Sequence, residues 1–386
     1  ELAKEIRKIQ ERAYIVFLTA YEKYSLSGYE VRAFHYIIKE NMENAVILIK
    51  NDKMALNWQT PTKVIEYIKE NNIEYLFIAG DLYEHKYIRK STIEYINNLF
   101  KEIPETRIFI SPGNHDPYTK NSYYNKFYWN ENVKIFTSKI EKIECEDANI
   151  YGYGFDDFYC KNCGIEKVEL EDKNKLNILV IHGTLDGGAI ENSEYNPLSS
   201  KMLKEKGFDY VALGHIHKLD YNKEENQNIV YPGSTASLGF DELGKHGMIV
   251  GELEKEKINL EFVPLDETEF KLYDLDITEI ISKEELIEKI NEINFEENNL
   301  IEIILTGKRN FEIDRYELYK LISNDKVIKI KDKTKINYDL EKLSNDTTLK
   351  GLFAKEMLAK LNEENIPEEQ KEIIEKAVEI GMEAID

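Results

Sequence analysis

The chain is poor in cysteine, with only Cys145, Cys160 and Cys163 among its 386 residues. So few cysteines cannot build the disulfide framework on which small secreted domains depend. A reducing, cytoplasmic location is therefore the expectation. Cys160 and Cys163 form a single C-x-x-C with no second half. This arrangement disfavours a structural zinc site and predicts an ordinary loop.

Long hydrophobic runs are also missing. No stretch of about eighteen consecutive apolar residues occurs, which argues against a membrane-spanning helix. No signal peptide is visible, and the start at Glu1 rather than methionine leaves a missing amino terminus open. With 42% hydrophobic and 32% charged residues, the sequence is typical of a globular protein with room for two or three domains.

Positive charge is scarce relative to negative charge. Lysine and arginine number 51 against 73 aspartates and glutamates, which gives a formal net charge of −22 at pH 7. This balance argues against a protein that binds nucleic acid through a generally basic surface. It leaves room for a local cationic strip or for bound metal ions.

Short apolar runs do recur along the chain, and most of them end in small or polar residues. The predicted strands cover residues 75–79, 107–111, 148–153, 177–181, 208–213 and 228–231. Helices are predicted from residue 58 to Asn71-Asn72 and over residues 91–100. Alternating strands and helices are typical of βαβ units, so the pattern indicates an α/β fold.

Polar side chains follow four of these strands directly, and they include four of the seven histidines. They are Asp81, the run Asn114-His115-Asp116, His182, and the pair His215 and His217. A lone histidine is more often a satisfied core residue than a ligand, and G-N-H-D alone is compatible with a polar turn. Repeated placement at strand ends, where α/β sheets bind ligands, instead favours one metal site. Carboxylate, amide and imidazole donors together suit Mn²⁺, Fe or Zn²⁺ rather than Ca²⁺.

The order of these motifs, G-D, G-N-H-D, H and G-H-x-H, resembles that of the calcineurin-like metallophosphoesterases. Within that superfamily the sequence is most similar to the SbcD-type DNA repair exonucleases, from about residue 58 to near the carboxyl end. The resemblance is carried by residues 79–83, 111–116, 212–218 and 231–234. It implies a four-layer αββα sandwich for a phosphoesterase domain over residues 58–267.

The resemblance also implies a ligand set. Asp81 would bridge two divalent metal ions, most consistent with Mn²⁺, with Fe or Zn²⁺ as alternatives. Asn114, His182 and His215 would bind one ion, and His217 the other.

Two further residues receive catalytic roles from the same resemblance. His115 would protonate the leaving oxygen, steadied by Asp116. The implied reaction is hydrolysis of DNA phosphodiester bonds by a metal-activated water. DNA ends are the implied substrate and an SbcC-like ATPase the implied partner, and a homodimer is left open.

One motif of the family is missing. The D-x-H expected at the end of the first strand has only Asp52-Lys53-Met54 as a counterpart, with methionine in place of histidine. A thioether does not replace imidazole for a hard or borderline divalent ion. We therefore expect the ion held by His217 to be poorly retained and activity to be weak or absent.

The first 40 residues carry a separate pattern, with strands predicted over residues 14–20 and 33–39 and a helix over residues 21–31. This block resembles the second half of a LytR/AgrA-type response-regulator receiver, with Thr19 and Lys39 at the positions beside the phosphate. The strand of the phospho-accepting aspartate is absent, and Glu40 stands where proline is usual. We interpret residues 1–57 as a partial receiver-like segment, joined by a natural fusion or by an error in the gene model.

The sequence changes character after about residue 268. Helices rich in glutamate and lysine are predicted over residues 283–293 and 368–382, with a strand over residues 300–305. No histidine occurs beyond His246, so this region supplies no imidazole ligand. It is interpreted as a smaller α+β accessory domain over residues 268–386, with its charge runs on solvated helix faces.

Two other functions remain open from the sequence. A phosphoesterase of the same class could act on a small phosphodiester or a phosphoprotein, which a substrate panel would separate from a nuclease. A non-catalytic scaffold is favoured by the methionine at position 54.

Overall fold

We describe the protein from a computed structural model. The structure describes residues 16–19, 35–38 and 60–385, except residues 187–193, 226, 238, 256, 267, 364 and 365. The described chain forms two compact units, of which unit 1 ends at Glu269 and unit 2 begins at Phe270. The motif counterpart at Asp52 and Met54 lies outside the described residues, as does Lys39.

Part of each of the two strands expected near the amino terminus lies within the described residues. These parts are β1 (Val16–Thr19) and β2 (His35–Ile38), which pair in parallel with Val16 opposite His35. The helix predicted between them lies outside the described residues.

The first sheet of unit 1 has three parallel strands in the order β3-β4-β5. Its strands are β3 (Tyr75–Ile78), β4 (Arg107–Ile110) and β5 (Val133–Ile135). Helix α1 (Thr60–Asn71) precedes β3, and helix α2 (Lys90–Lys101) connects β3 to β4 as in a βαβ crossover. Helix α1 tolerates Pro61 because it lies in the first turn, and Asn72 ends the helix with a φ of 52°.

The second sheet has five strands in the order β12-β11-β8-β7-β6, parallel except for β6. The strands are β6 (Glu141–Glu144), β7 (Ala148–Tyr153), β8 (Leu176–His182), β11 (Tyr210–Gly214) and β12 (Ile229–Val230). Shorter elements are α3 (Tyr123–Lys126), which lies between β4 and β5, and β9 (Thr184–Leu185), β10 (Pro197–Leu198) and α4 (Ser200–Lys206), which lie between β8 and β11. The antiparallel hairpin of β13 (Gly247–Glu254) and β14 (Lys257–Pro264) follows, as the alternation of residues 247–253 and 258–263 predicts.

The central strands β4, β7, β8 and β11 of unit 1 are largely apolar because both of their faces are buried. In β4, Phe109 belongs to a core cluster shared with β7, β8 and β11, whereas Ile108 and Ile110 pack with the helix residues Ile65 and Ile93. Helix α4 contributes Leu203 to a third cluster, which includes alternate residues of β8 and β11. Such two-sided burial is typical of parallel sheets.

Unit 2 is a mixed structure around a three-stranded sheet. Its sheet has the order β15-β16-β18 and consists of β15 (Glu269–Asp276), β16 (Asn299–Thr306) and β18 (Val327–Asp332). The short strands β17 (Lys308–Arg309) and β19 (Lys335–Ile336) form a separate two-stranded sheet. Its helices are α5 (Lys283–Glu292), α6 (Arg315–Leu321), α7 (Leu340–Leu343), α8 (Leu349–Leu361) and α9 (Glu368–Ile385). Leu286 and Ile290 of α5 are fully buried in a cluster with β16. Among the described residues, no helix is long and apolar enough to cross a membrane.

Candidate metal centre

Four of the predicted site residues lie together in unit 1. One donor atom each from Asp81, His182 and His215 can be chosen so that all lie within 4.8 Å of one another. Asn114 joins them through its Oδ1, which is 2.8 Å from His182 Nε2 and 3.2 Å from His215 Nδ1. The Asp81 carboxylate lies 3.4 Å from His182 Nε2.

These donors meet because each stands at the carboxyl end of a strand. Asp81 follows β3, Asn114 follows β4, His182 is the last residue of β8, and His215 follows β11. The sequence placed His182 just beyond its strand; instead β8 continues, because its backbone pairs in register with Gly214 of β11.

Close approach of the loops requires a residue without a side chain at position 113. A Cβ atom on Gly113 would lie 2.4 Å from Asp81 Oδ1 and 2.9 Å from the His182 ring. Two donors also hold backbone conformations that are unusual for residues other than glycine, with φ of 54° at Asp81 and 106° at His215. Strain of this kind concentrates at functional sites.

The lone pairs of the cluster point at one another. His182 Nδ1 lies 2.8 Å from the carbonyl oxygen of Ala79 and therefore donates its proton there. Burial lowers the pKa of His182 to about 4, so the ring is neutral and its Nε2 carries a lone pair. That lone pair faces the acceptor oxygens of Asn114 and Asp81. A cation placed between these lone pairs would bind all of them and remove their mutual repulsion, so the residues fit a divalent metal ion.

The His215 ring is also neutral at pH 7. Burial, and next the neighbouring His182, lower the pKa of His215 to about 4. The rings of His182 and His215 meet edge to face at 5.1 Å. Neutral imidazole is the form that binds metals, so both rings are ready ligands at neutral pH.

Asp116 holds the two site loops together from inside. Its fully buried carboxylate accepts hydrogen bonds from the backbone N–H of Gly113 (2.7 Å), Asp81 (3.0 Å) and Leu82 (2.6 Å) and from the Tyr124 hydroxyl (2.6 Å). Burial raises the pKa of Asp116, and these hydrogen bonds oppose the rise. The support that Asp116 gives to the site is thus through the backbone of the loops.

The His115 ring contacts the carboxylate of Glu84. Its Nδ1 lies 2.7 Å from Glu84 Oε2, and its backbone N–H donates to Asp81 Oδ1. The hydrogen bond to Glu84 raises the pKa of His115, and the negative charge of Asp116 acts in the same direction. The steadying of His115 by Asp116 stays a prediction. The His115 side chain is 55% exposed and can reach a bound molecule.

Sequence reasoning missed Glu84 because no spacing rule distinguishes it from other surface acids. The available signal was its position in the loop that begins at Asp81. A carboxylate three residues after a predicted ligand can turn back to a neighbouring loop.

His217 is not a member of the three-residue cluster found among the described residues, but its charge acts on Asp81 and His215. Its Nδ1 is 2.5 Å from Glu242 Oε1, and its side chain is 53% exposed. The predicted second ion would be held on this side.

The C-x-x-C segment, which was predicted as an ordinary loop, contains one backbone bridge at Cys160. Cys160 is buried, its Sγ lies 3.3 Å from the Tyr153 hydroxyl, and its backbone bridges to Tyr195. Among the described residues, the one metal-competent cluster contains no cysteine.

Comparison with known proteins agrees with this geometry. Residues 55–219 match the family model of the calcineurin-like phosphoesterases. The uncharacterized metallophosphoesterase YhaO of Bacillus subtilis is 26% identical over 224 residues, which cover 56% of this chain and 54% of that protein.

Two SbcD proteins, each a component of the nuclease SbcCD, are also similar. The SbcD protein of Staphylococcus epidermidis is 31% identical over 260 residues, covering 58% of this chain and 66% of the relative. That of Staphylococcus saprophyticus is 29% identical over 271 residues, covering 62% and 69%. The chain thus spans about half the length of YhaO and about two thirds of the SbcD proteins. Residues 55–219 are therefore similar to the calcineurin-like phosphoesterases, and the chain has distant homology to SbcD proteins and to YhaO.

Proposed function

We propose that this protein is a metal-dependent phosphodiesterase of the SbcD type that hydrolyses DNA phosphodiester bonds at DNA ends. The observation that carries the proposal is the convergence of Asp81, Asn114, His182 and His215 with their acceptor atoms facing one another. A divalent cation bound there, for which we propose Mn²⁺, supplies Lewis acidity toward a phosphate oxygen and a water.

The side chains of the protein then have distinct tasks. Asp81, Asn114, His182 and His215 fix the charge and position of the phosphate site. His115 holds a proton beside the leaving oxygen, with its Nδ1 turned to Glu84 and its Nε2 available to the substrate. Asp116 keeps the two loops that carry these groups in register.

The wider assignments are part of the same proposal. We propose the four-layer αββα sandwich of the family for residues 58–267, an accessory domain at residues 268–386, and a receiver-like segment at residues 1–57. The core cluster that contains Phe109, Ile150 and Val180 supports the sandwich, because these residues come from both sheets of unit 1. An SbcC-like ATPase partner, a homodimer and a cytoplasmic location are proposed from the same relationship.

The first test is Mn²⁺-dependent hydrolysis of bis(p-nitrophenyl) phosphate by the full chain. We expect turnover of this ester by the wild type. With a dinucleoside phosphate, whose alkoxide leaving group needs a proton, the rate should fall by about 10²–10⁴-fold in His115→Ala, the usual contribution of a general acid. Lys120→Ala removes an exposed side chain of the same loop and should leave the rate unchanged. Wild-type turnover of the dinucleoside phosphate no higher than that of His115→Ala would contradict catalysis.

DNA as the substrate is tested separately. Linear duplex DNA with free ends should be degraded, whereas closed circular duplex should persist. The net charge of −22 favours a competing function, in which the substrate is a small phosphodiester or a phosphoprotein. Hydrolysis of the chromogenic ester together with intact linear DNA would support that second function.

A further inference from the structure

The exposed side of the site contains a contact that the proposed mechanism does not use. Glu242 directs Oε1 to His217 Nδ1 at 2.5 Å. The His217 side chain is 53% exposed but that of Glu242 only 17%. The Glu242 carboxylate is therefore largely buried in the protein, whereas the His217 imidazole faces solvent.

Buried groups fix the backbone of Glu242. The Ser237 hydroxyl, which is fully buried, donates to the Glu242 carbonyl oxygen at 2.6 Å. His246 is only 4% exposed, and its Nε2 lies 3.1 Å from the same carbonyl oxygen. Its Nδ1 lies 2.7 Å from the Ser234 hydroxyl. Since the carbonyl oxygen can only accept, His246 Nε2 carries the proton and Ser234 donates to Nδ1.

The same segment also holds the backbone of His217. Ser234 donates its N–H to the His217 carbonyl oxygen at 3.0 Å. Gly233 has a φ of +78°, and a Cβ atom there would lie 2.7 Å from that carbonyl oxygen. The Tyr231 hydroxyl donates to the Gly183 carbonyl oxygen, next to His182. The Y-P-G-S motif thus supports both sides of the metal centre.

We propose that Glu242 is the positioning residue of His217. By accepting the Nδ1 proton, it fixes the tautomer in which His217 Nε2 carries the lone pair and is the atom offered to a metal ion. Ser234, Ser237 and His246 hold Glu242 in place for this task. The assignment rests on the proposed function, because it concerns the second ion of that site.

The first test reads the tautomer directly in the metal-free, full-length protein labelled with ¹⁵N-histidine. Two-bond ¹H–¹⁵N spectra at about pH 9, well above the ordinary imidazole pKa, report which ring nitrogen is protonated. The His217 signal, assigned by its loss in His217→Gln, should show a protonated Nδ1 in the wild type. In Glu242→Ala it should move toward the Nε2-protonated form. Nε2 protonation in the wild type, or no change in Glu242→Ala, would overturn the assignment.

Two variants keep this test decisive. Asp241→Asn removes the same charge from the exposed neighbouring residue and should leave the His217 signal unchanged. Glu242→Gln preserves side-chain size and serves if Glu242→Ala fails to fold. Its uncharged oxygen is a weaker acceptor, so the Nδ1-protonated population should fall.

The second test is Mn²⁺ binding, followed by electron paramagnetic resonance. Loss of a carboxylate behind a ligating histidine typically weakens metal binding by about 10–100-fold. We expect that loss at one site in Glu242→Ala and none in Asp241→Asn. Equal Mn²⁺ affinity in wild type and Glu242→Ala would overturn the assignment. Neither readout needs substrate, so failure of the wild type to hydrolyse phosphodiesters would count against the proposed function alone.

Discussion

At the residue scale, the histidines of the metal centre fall into two kinds. His182 and His215 have pKa values lowered to about 4 by burial, which makes them neutral ligands. His115 and His217 are about half exposed, and each has a glutamate on its Nδ1. The buried, neutral rings of His182 and His215 suit binding of a cation. The exposed rings of His115 and His217 are accessible to a bound substrate or metal ion.

Asp116→Asn is expected to destabilise the protein. The substitution replaces one acceptor oxygen by an amide NH₂ group, which cannot accept hydrogen bonds from the backbone N–H donors it faces. Loss of charge-assisted hydrogen bonds in a buried place should lower the free energy of unfolding by about 2–4 kcal/mol. Urea unfolding followed by circular dichroism measures the change, and the exposed Glu131→Gln is the control. An unchanged midpoint for Asp116→Asn would contradict the role in joining the loops.

Thiol alkylation tests the environment of Cys163. Burial raises the pKa of this thiol to about 11. A raised pKa leaves less thiolate at any lower pH, so iodoacetamide should modify Cys163 far more slowly than free cysteine at pH 8. The alkylation rate should increase as the pH approaches 11. Circular dichroism at each pH checks that the protein is still folded. Peptide mass spectrometry after timed quenching gives the rate, and a rate equal to that of glutathione at pH 8 would refute the prediction.

At the scale of elements, the sequence predicted best where both faces of a strand are buried. The runs at β3, β4 and β7 appear at their predicted positions within one residue. In unit 2, β16 was predicted but β15 and β18 were not, because half of the residues in each are lysine, aspartate or glutamate, which leaves no continuous apolar run. Periodicity alone does not distinguish such strands from charged loops.

The candidate site also combines residues whose placement the sequence predicts with residues whose placement it does not. The convergence of Asp81, Asn114, His182 and His215 could be foreseen because strand ends of a parallel sheet converge. Glu84 and Glu242 could not, because their contacts depend on the paths of loops. A glutamate in an acidic sequence carries no local signal of its partner.

Phe136→Ala tests how the two sheets of unit 1 share a core. Phe136 is fully buried, stacks against Phe109 of the first sheet at 6.2 Å, and belongs to a cluster with Ile150 of the second sheet. Removing the ring should cost about 3–5 kcal/mol in unfolding free energy. Tyr128→Ala, at a side chain that is 85% exposed, should cost less than about 0.5 kcal/mol. Similar losses in the two variants would contradict the shared core.

At the scale of the whole molecule, the net charge of −22 opposes contact with DNA. Affinity for DNA is normally dominated by lysine and arginine contacts to phosphate. Metal ions neutralise the phosphate locally at the site, but they do not supply a long basic track. The proposed nuclease would therefore depend on a partner for tight binding.

The isolated chain should bind linear duplex DNA only weakly, with a Kd above about 1 μM near physiological salt, the range of non-specific binding. Gel shifts at increasing salt measure this, with and without Mn²⁺. Addition of a partner ATPase should raise the affinity. A salt-resistant shift by the chain alone would contradict the dependence on a partner.

The strand-end origin of the ligands also has a consequence for biosynthesis. Asp81, Asn114, His182 and His215 lie far apart in sequence and meet only once the strands of two sheets have paired. Contacts of such long sequence separation form late, since the entropy of closing long loops must be overcome first. A growing chain that has not yet released His215 from the ribosome offers an incomplete ligand set. At the proposed site, metal would therefore bind only after the strands of both sheets have paired, and bound metal would report that pairing.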